Sequence, residues 1–299
     1  MSYRDFSIEE LSRRVKKAIE LLSDCAVCAQ ECHVNRLKGE RGFCRTGRYA
    51  VVSSWGPHFG EEDVLVGTHG SGTIFFAYCN MACRFCQNCE ISHYGEGREM
   101  TPRELADIML ELQQIGCHNV NLVSPSHCVP QILEALELAV LDGLKIPLVY
   151  NTGGYDSVQT LKLLDGIIDI YMPDIKFGEN EAGKLYASAP GYFTVAKRAV
   201  KEMYRQVGDL TIDERGLAIK GLIVRHLVLP NDLAQTKEVM KFLAEEISPN
   251  TFVNIMDQYY PAHKAWQYPA LSRRITSNEY RRALEIAKAS GLKRIYLKK

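Results

Sequence analysis

The sequence has no net charge, no long apolar run and no secretory leader that we can recognise. Its 36 Lys and Arg residues balance 36 Asp and Glu residues, so no overall attraction to nucleic acid or to an anionic membrane surface is expected. No stretch is apolar over the roughly 20 residues that a membrane span needs. The first residues, Met1–Asp5, carry charge and no apolar run, unlike a secretory signal. We therefore expect a cytoplasmic protein without membrane or nucleic-acid partners.

Cysteine, in contrast, is abundant. The chain contains 10 cysteines, and all except Cys117 and Cys128 lie between Cys25 and Cys89. In a chain without a secretory leader, such cysteines favour a reducing compartment and metal ligation over disulfide bonds. Their clustering predicts two local metal sites.

From Gly72 onward, short β-branched and aromatic runs alternate with helical stretches. The predicted strands are Thr73–Tyr78, Asn119–Ser124, Ile146–Asn151, Ile167–Asp174, Lys220–Leu229 and Thr251–Asp257. The predicted helices are Thr101–Ile115, Pro130–Leu141, Ser157–Leu164, Gly191–Val207, Leu233–Ile247 and Ser277–Ser290. This alternation is typical of βαβ units around a parallel sheet, and six units form a partial barrel rather than a closed eight-unit barrel. We therefore predict an α/β fold, a partial (β/α)6 barrel, to which Arg294–Leu297 adds a last strand.

The residues before this region differ in character. The spacing of apolar residues over Ser7–Leu22 predicts an amphipathic helix with Ser7 as its N-cap. Residues 24–70 are rich in glycine and show little periodicity, which predicts irregular structure. The sequence thus predicts two parts: residues 1–70, a helix with a cysteine-rich metal-binding extension, and residues 71–299, the partial barrel.

The most informative segment is the loop after the first barrel strand, where Cys79, Cys83 and Cys86 stand close together. A four-iron cluster normally takes four cysteine thiolates, so three thiolates leave one iron open to bind and reduce a cofactor. Cys89 would close the cluster if it were a fourth ligand. Three corners of a zinc site are the alternative, although zinc motifs usually come as cysteine pairs.

The spacing of these cysteines, with Phe85 before the last of them, resembles the cluster motif of the radical S-adenosylmethionine (SAM) superfamily. The resemblance implies a 4Fe-4S cluster on Cys79, Cys83 and Cys86, whose open iron chelates the methionine moiety of SAM. One electron then cleaves SAM to methionine and a 5′-deoxyadenosyl radical, which takes a hydrogen atom from the substrate. An electron donor such as flavodoxin or ferredoxin is implied as a partner. Because the superfamily pattern uses three cysteines, Cys89 is expected to be a non-ligand.

A second cysteine group lies nearer the N-terminus. Its members are Cys25, Cys28, Cys32 and Cys44. Their spacing allows them to surround one metal, and the glycines between residues 39 and 47 permit the tight turns that such a loop needs. Four thiolates suit zinc as a structural ion and equally suit an iron–sulfur cluster, with His33 as an alternative zinc ligand. The sequence leaves that choice open.

The two cysteine groups together resemble one branch of the superfamily: relatives of pyruvate formate-lyase activating enzyme that carry an added N-terminal cysteine segment. The resemblance covers roughly residue 70 to the C-terminus, and residues 25–47 match the added segment. Activating enzymes end two strands with an Asp-Thr pair and a Met-x-Asp-x-Lys run, which place a monovalent cation and a lysine near SAM. The matching residues are Asn151, Thr152, Met172 and Asp174 for the cation, Lys176 for the lysine, Arg225 for the SAM carboxylate, and Tyr259 or Tyr260 for adenine. A simple ion pair between Asp174 and Lys176 is the alternative, and Asn151 in place of Asp lowers the charge offered to a cation.

The chain departs from the superfamily after its second barrel strand. The usual Gly-Gly-Glu, whose carboxylate binds the amino group of SAM, is replaced by Ser124-Pro125-Ser126-His127. Ser124, Ser126 or the backbone must then accept that hydrogen bond. His127 becomes a candidate for substrate chemistry or for a contact with SAM, and His226 is either a core residue or a polar contact.

The sequence therefore predicts a radical SAM iron–sulfur enzyme, an oxidoreductase that abstracts hydrogen from its substrate. Activation of a glycyl radical enzyme is one form of this chemistry, and modification of another peptide or of a small metabolite is the alternative. A protein or peptide substrate is thus an expected partner. A non-catalytic metal-binding adaptor and a four-cysteine electron carrier are the alternatives of a different class.

Overall fold

The computed structural model describes residues 2–297, within which the chain forms ten β-strands and ten α-helices. The strands are β1 (Ala50–His58), β2 (Ser71–Phe76), β3 (Arg98–Met100), β4 (Val120–Val123), β5 (Leu148–Thr152), β6 (Ile170–Pro173), β7 (Thr211–Ile212), β8 (Ala218–Leu227), β9 (Phe252–Met256) and β10 (Arg294–Tyr296). The helices are α1 (Ile8–Glu20), α2 (Asp63–Val66), α3 (Cys89–Ser92), α4 (Pro102–Ile115), α5 (Val129–Leu141), α6 (Val158–Leu163), α7 (Asn180–Ala187), α8 (Tyr192–Val207), α9 (Thr236–Phe242) and α10 (Ser277–Ala289). None of these helices has the length and apolar character needed to cross a bilayer.

Seven strands form the parallel part of one open sheet. In spatial order they are β2, β4, β5, β6, β8, β9 and β10, each parallel to its neighbour. The sheet ends at β3 on one side and at β10 on the other, so the described strands do not close into a barrel. Each predicted barrel strand, including the last one, is present within three residues of its expected bounds. The predicted α/β fold with a partial, open barrel is confirmed.

The structure differs from the sequence-based prediction in residues 24–70, which contain a strand. β1 pairs antiparallel with both β2 and β3, so the sheet extends across the boundary expected at residue 70. Only the first three residues of β1 are buried, and Gly56 and Pro57 then interrupt the run, which explains why alternation does not reveal the strand. The division of the chain into two parts stays a prediction.

Two helical regions also depart from expectation. The predicted helix Leu233–Ile247 consists of α9 followed by a π-helical turn, Leu243–Ile247. Helix α7 has no strong sequence signal because it contains Gly183, and glycine is a poor helix former. A Cβ at Gly183 would lie 2.2 Å from the Tyr192 Cβ, so glycine permits close packing of α7 on α8.

The predicted N-terminal helix is confirmed as α1. The Glu10 N–H donates a hydrogen bond to Ser7 Oγ at 3.3 Å, which satisfies one of the free donors at the helix start. Leu11 and Ala18 are buried in α1, where the helix packs on α5. The apolar face that the sequence indicates is therefore the face that packs against helix α5.

Residues 59–70, called the floor segment below, reach into the interior of the open barrel through the buried residues Glu62 and Leu65. Leu65, in α2, is buried in one apolar cluster with Ile170 and Phe252, the first residues of β6 and β9. Asn254 on β9 donates a hydrogen bond to Glu62 at 2.7 Å. The floor segment therefore runs from β1 to strands on the far side of the sheet and closes the interior near the amino-terminal strand ends.

The Leu65→Ala substitution would leave a cavity at this closure. We expect it to lower the free energy of unfolding by about 2–5 kcal/mol, the usual cost of removing a buried leucine side chain. Leu37 is 44% exposed, so Leu37→Ala gives a matched control that should change this free energy by less than about 0.5 kcal/mol. Urea denaturation measures both values. An effect of Leu65→Ala no larger than that of the control would contradict the packing of the floor segment.

Candidate active site

The loop after β2 carries the three closely spaced cysteines. Tyr78 adopts a left-handed backbone conformation with φ +64°, which non-glycine residues seldom take up and which is often found near functional sites. In the loop, the Met81 N–H donates to Cys79 Sγ at 3.4 Å, and Cys86 Sγ lies 3.0 Å from the Ser92 hydroxyl oxygen. The end of one parallel strand thus presents all three thiols on a short, turned segment.

The three thiols line a cavity of about 400 Å³, a volume that is usual for a small-molecule site. The cavity lies at the carboxyl ends of the parallel strands, where sheets of this kind bind ligands. Six other residues singled out from the sequence share it: Ser124, Asn151, Thr152, Asp174, Lys176 and Arg225. The fold therefore brings the cysteine loop and most of the expected strand-end residues together.

Burial shifts the pKa of two of these thiols, those of Cys79 and Cys83. It raises the pKa of Cys79 to about 11, although the hydrogen bond from the Met81 N–H opposes the rise. Burial also raises the pKa of Cys83, and the charge of Lys176 opposes it. Thiols ionise when they coordinate a metal. Three half-buried cysteines on one loop thus fit three corners of an iron–sulfur cluster, for which cysteine thiolates are the usual ligands.

Asp174 and Lys176 follow β6 and form an ion pair at the cavity wall. Burial would raise the pKa of Asp174, but the charges of Arg225 and Lys176 outweigh it and lower that pKa. Burial would lower the pKa of Lys176, which the Asp174 carboxylate raises instead. Both side chains are therefore charged at neutral pH. The ion pair that the sequence offered as an alternative is present, and both residues line the cavity.

The ends of β5 and β6 approach each other closely because residue 154 is a glycine. Gly154 has φ +79°, and a Cβ there would lie 2.4 Å from the Asp174 carbonyl oxygen. The Gly154 N–H donates to Thr152 Oγ1 at 3.2 Å, and this hydroxyl donates to Asp156 at 2.7 Å. The turn thus fixes Thr152 beside Asp174 at the cavity wall.

Arg225 on β8 connects three walls of the cavity. Its Nε–H donates to Asp174 Oδ1 at 2.8 Å, its Nη2 donates to Asn151 Oδ1 at 2.6 Å, and its Nη1 donates to Glu61 Oε2 at 3.2 Å. Burial would lower the pKa of Arg225, but the carboxylates of Asp174, Glu62 and Glu61 raise it. The guanidinium is therefore a fixed positive charge inside the cavity.

The next residue, His226, is a core histidine. The sequence leaves open whether His226 is a core residue or a polar contact, and the structure decides for the core. It is fully buried, and its ring nitrogens lie 2.7 Å from the Ile175 carbonyl oxygen and 3.0 Å from Thr236 Oγ1. Burial lowers the pKa of His226 to about 4, so the ring is neutral at physiological pH. Both ring nitrogens are therefore hydrogen-bonded within the core.

Three further titratable residues that sequence reasoning missed line the cavity: His58, Glu61 and His93. Burial raises the pKa of Glu61, and the charge of Arg225 opposes the rise. Burial lowers the pKa of His93 to about 4. Glu61 belongs to the floor segment and is 164 positions from Arg225 in the chain, so no local motif or periodicity could have identified it.

Two residues of the Ser124-Pro125-Ser126-His127 turn lie behind the cavity wall. Ser126 is buried, with its hydroxyl oxygen 2.9 Å from Thr152 Oγ1. His127 is buried, with Nε2 3.1 Å from the Ala77 carbonyl oxygen, and burial lowers its pKa to about 4. Ser124, with φ +58°, is the residue of this turn that reaches the cavity.

Met172 and Tyr259 are also outside the cavity lining. Met172 is buried in the apolar cluster around Leu65. The Tyr259 hydroxyl donates to the Leu271 carbonyl oxygen at 2.6 Å, and the Tyr259 ring packs edge-on against Phe85, which does line the cavity. Tyr260, the alternative aromatic residue, is 39% exposed. Both Met172 and Tyr259 therefore support the cavity wall from behind.

The N-terminal cysteines gather next to the cysteine loop. Cys25, Cys28 and Cys44 are buried and Cys32 is half-buried. Burial raises the pKa of Cys28, and the thiols of the other three contribute to the rise because they are near. Within residues 2–297, no three His, Cys, Asp or Glu side chains are arranged around a single-ion position. Whether this group binds a metal therefore stays a prediction.

Two features beside these cysteines fit a metal–thiolate group. Arg36 is buried, with Nη1 donating to the His127 carbonyl oxygen at 2.9 Å and lying 3.8 Å from Cys25 Sγ. Its Nη2 is buried without a hydrogen-bond partner among the described residues, and thiolates on a metal would supply the negative charge that a buried guanidinium needs. A Cβ at Gly42 would lie 2.7 Å from Cys32 Sγ, so only glycine fits beside that sulfur.

Comparison with known proteins agrees with the site. Residues 73–243 match the family model described as the radical SAM superfamily. The chain is 36% identical over 295 residues to the uncharacterized protein MJ0674 of Methanocaldococcus jannaschii, covering 96% of this chain and 80% of that protein. In fold it is similar to a radical SAM methyltransferase from Sphaerobacter thermophilus, with a TM-score of 0.51 and 12% identity over 100% of this chain and 95% of that chain. The chain belongs to the radical SAM superfamily.

The Cys83→Ala variant should lose the cluster at this loop, because a cluster held by three thiolates depends on each of them. After anaerobic reconstitution with iron and sulfide, we expect lower iron content and weaker visible absorption than in the wild type. Cys89 begins α3 outside the cavity lining, so Cys89→Ala is the matched control and should keep both signals. Wild-type iron content in Cys83→Ala, or loss of iron in Cys89→Ala, would contradict the three-ligand assignment.

Proposed function

We propose that this radical SAM protein reductively cleaves SAM and abstracts a hydrogen atom from its substrate in the manner of glycyl radical activating enzymes. The observation that carries the proposal is that the three thiols of the cysteine loop and the strand-end residues Asp174 and Lys176 line one cavity. A cluster on those thiols supplies the electron for cleavage of SAM. The chain holds cluster, SAM and substrate in line and limits the access of water.

Several side chains offer polar groups to SAM in this proposal. Arg225 suits the carboxylate, because a guanidinium recognises carboxylates through two parallel N–H groups. Lys176 lines the same wall and is charged, so it acts at the methionine end. Ser124 lines the cavity at the end of β4 and accepts the hydrogen bond that the superfamily usually assigns to a glutamate. His127 and Tyr259 act through the residues that they support, Ala77 and Phe85.

The activating-enzyme branch is favoured by the residues at the ends of β5 and β6. Asn151 and Thr152 on one strand lie against Asp174 after the next, the positions that the resemblance gives to the groups around a monovalent cation beside SAM. In this proposal the hydrogen comes from a glycine in a protein partner. Another peptide residue or a small metabolite is the alternative source, and the experiment below distinguishes a protein glycine from a small metabolite.

The N-terminal cysteines form a second metal site in this proposal, holding zinc or an iron–sulfur cluster. The proposal is supported by the buried Arg36, which donates to two backbone oxygens and lies beside Cys25 Sγ but pairs with no carboxylate among residues 2–297. We also propose a cytoplasmic protein that receives its electron from a carrier such as flavodoxin or ferredoxin. All ten cysteines are free thiols within the described residues, which agrees with a reducing compartment.

The experiment that tests the proposed function is formation of 5′-deoxyadenosine from SAM by anaerobically reconstituted protein with dithionite. We expect product from the wild type and none from Cys79→Ala. Cys117→Ala is the control, because Cys117 is a buried core residue outside both cysteine groups. No product from a wild-type protein that holds an intact cluster would contradict the proposed function, as would product from Cys79→Ala.

The same reaction identifies the source of the hydrogen atom. Extract from cells grown on glycine deuterated at its α-carbon is separated into protein and small-molecule fractions, and each is added to the assay. Deuterium in 5′-deoxyadenosine after addition of the protein fraction is the expected result. Deuterium only after addition of the small-molecule fraction would replace the activating-enzyme proposal by metabolite modification.

The Cys44→Ala variant tests the second metal site. We expect it to contain less metal than the wild type while it keeps the visible absorption of the loop cluster, since each site has its own thiolates. Elemental analysis of the variant identifies the metal: lost zinc indicates a structural ion, and lost iron indicates a cluster. Metal content equal to that of the wild type and of the Cys117→Ala control would contradict a metal site at these cysteines.

A further inference from the structure

Two of the side chains expected to hold a monovalent cation, Asn151 and Asp174, are already bonded to cations of the protein. Asn151 Oδ1 accepts from Arg225 Nη2 at 2.6 Å, and Asp174 Oδ1 accepts from Arg225 Nε at 2.8 Å. The second Asp174 oxygen pairs with Lys176. The Thr152 hydroxyl is hydrogen-bonded as well. Both oxygens of the one carboxylate in this set are therefore in use.

The charges at this position oppose an additional cation. Residue 151 is Asn, so Asp174 supplies the only negative charge among the expected cation ligands, and its carboxylate already pairs with both Arg225 and Lys176. Like charges repel each other more strongly in a partly desolvated site than in water. An alkali ion at Asp174 would lie beside both protein cations. The residues present therefore do not fit a monovalent metal ion.

The floor segment holds the guanidinium in this position. Glu61 Oε2 accepts from Arg225 Nη1 at 3.2 Å, and only 10% of the Glu61 side chain and 17% of the Arg225 side chain are exposed. Glu61 thus binds Nη1, the guanidinium nitrogen that neither Asp174 nor Asn151 binds. Together, Glu61 and Asp174 balance the charges of Arg225 and Lys176.

We propose that the Arg225 guanidinium replaces the monovalent cation of the activating enzymes, and that Glu61 is the residue that positions it. An arginine is charged at every physiological pH, so this charge is permanently present. Each terminal nitrogen of a guanidinium carries two N–H groups, so Nη1 and Nη2 each keep one after bonding Glu61 and Asn151. This inference rests on the proposed function. The remaining N–H groups donate hydrogen bonds to the carboxylate of SAM, and SAM binds without an alkali ion.

The affinity for SAM in different salts tests the proposal. Equilibrium dialysis of radiolabelled SAM is carried out with reconstituted wild-type protein in choline chloride, sodium chloride or potassium chloride at equal ionic strength. We expect the same dissociation constant in all three salts. A saturable decrease of the dissociation constant by about fivefold or more with sodium or potassium would overturn the proposal, because coupling between two bound ligands usually has this size.

Arginine variants test the residue assignment. Arg225→Ala frees the oxygens of Asn151 and Asp174, so we expect weaker SAM binding that sodium or potassium improves by about fivefold or more. Arg215 forms an exposed ion pair, and Arg215→Ala is the matched control that should behave as the wild type. Glu61→Gln provides a second, conservative variant if Arg225→Ala does not fold. It should weaken SAM binding while binding stays independent of the alkali ion, and wild-type affinity would contradict the role of Glu61.

A measurement without SAM separates this inference from the proposed function. Sodium-23 NMR line widths are compared for wild-type protein and Asp174→Asn, both without SAM. We expect equal line widths, because no sodium ion binds at Asp174. If the wild type broadens the sodium signal and the Asp174→Asn substitution abolishes that broadening, the inference is overturned, even in a protein that cleaves SAM. A protein that fails to cleave SAM would contradict the proposed function and leave the sodium result standing.

Discussion

Four charged side chains share the interior of an open sheet, and each needs an opposite charge beside it. A buried charge without a partner costs several kcal/mol, so Glu61, Asp174, Lys176 and Arg225 are stable there only as a connected set. They come from the floor segment, from the turn after β6 and from β8. Arg225 also bonds Asn151 on β5. Electrostatic balance therefore fixes the relative positions of the elements that form the cavity wall.

The N-terminal cysteine group is attached to the cysteine loop from behind. Gln30, between two N-terminal cysteines, donates to the Asn80 carbonyl oxygen in the cysteine loop at 2.9 Å. Arg36 donates to the His127 carbonyl oxygen, and the His127 ring lies against the Ala77 carbonyl oxygen just before that loop. These hydrogen bonds make the N-terminal extension a backing layer for the loop. The same contacts explain why His127 is buried, although Ser124 of the same turn lines the cavity.

The sequence predicts the elements that recur periodically and the residues that belong to a local motif. It does not predict the position of a side chain where that position depends on residues far away in the chain. The barrel strands follow from alternating β-branched and helical runs, and the cysteine loop follows from spacing alone. β1 is hidden because only its first three residues are buried. Asn151 and Asp174 were expected to bind a cation, but their position opposite Arg225, 74 and 51 residues away in the chain, is set by the sheet order. Ser126 and Tyr259 were expected at the ligand, and tertiary packing places them one layer behind it.

The closure of the barrel interior by the floor segment affects how molecules exchange. Leu65 and its apolar neighbours fill the space near the amino-terminal strand ends, so the cavity at the carboxyl ends is closed on that side. A molecule that binds next to Glu61, whose side chain is only 10% exposed, must arrive before the molecules that cover it and depart after them. Such a one-ended chamber imposes a sequence of arrival and departure through its geometry, without a moving lid.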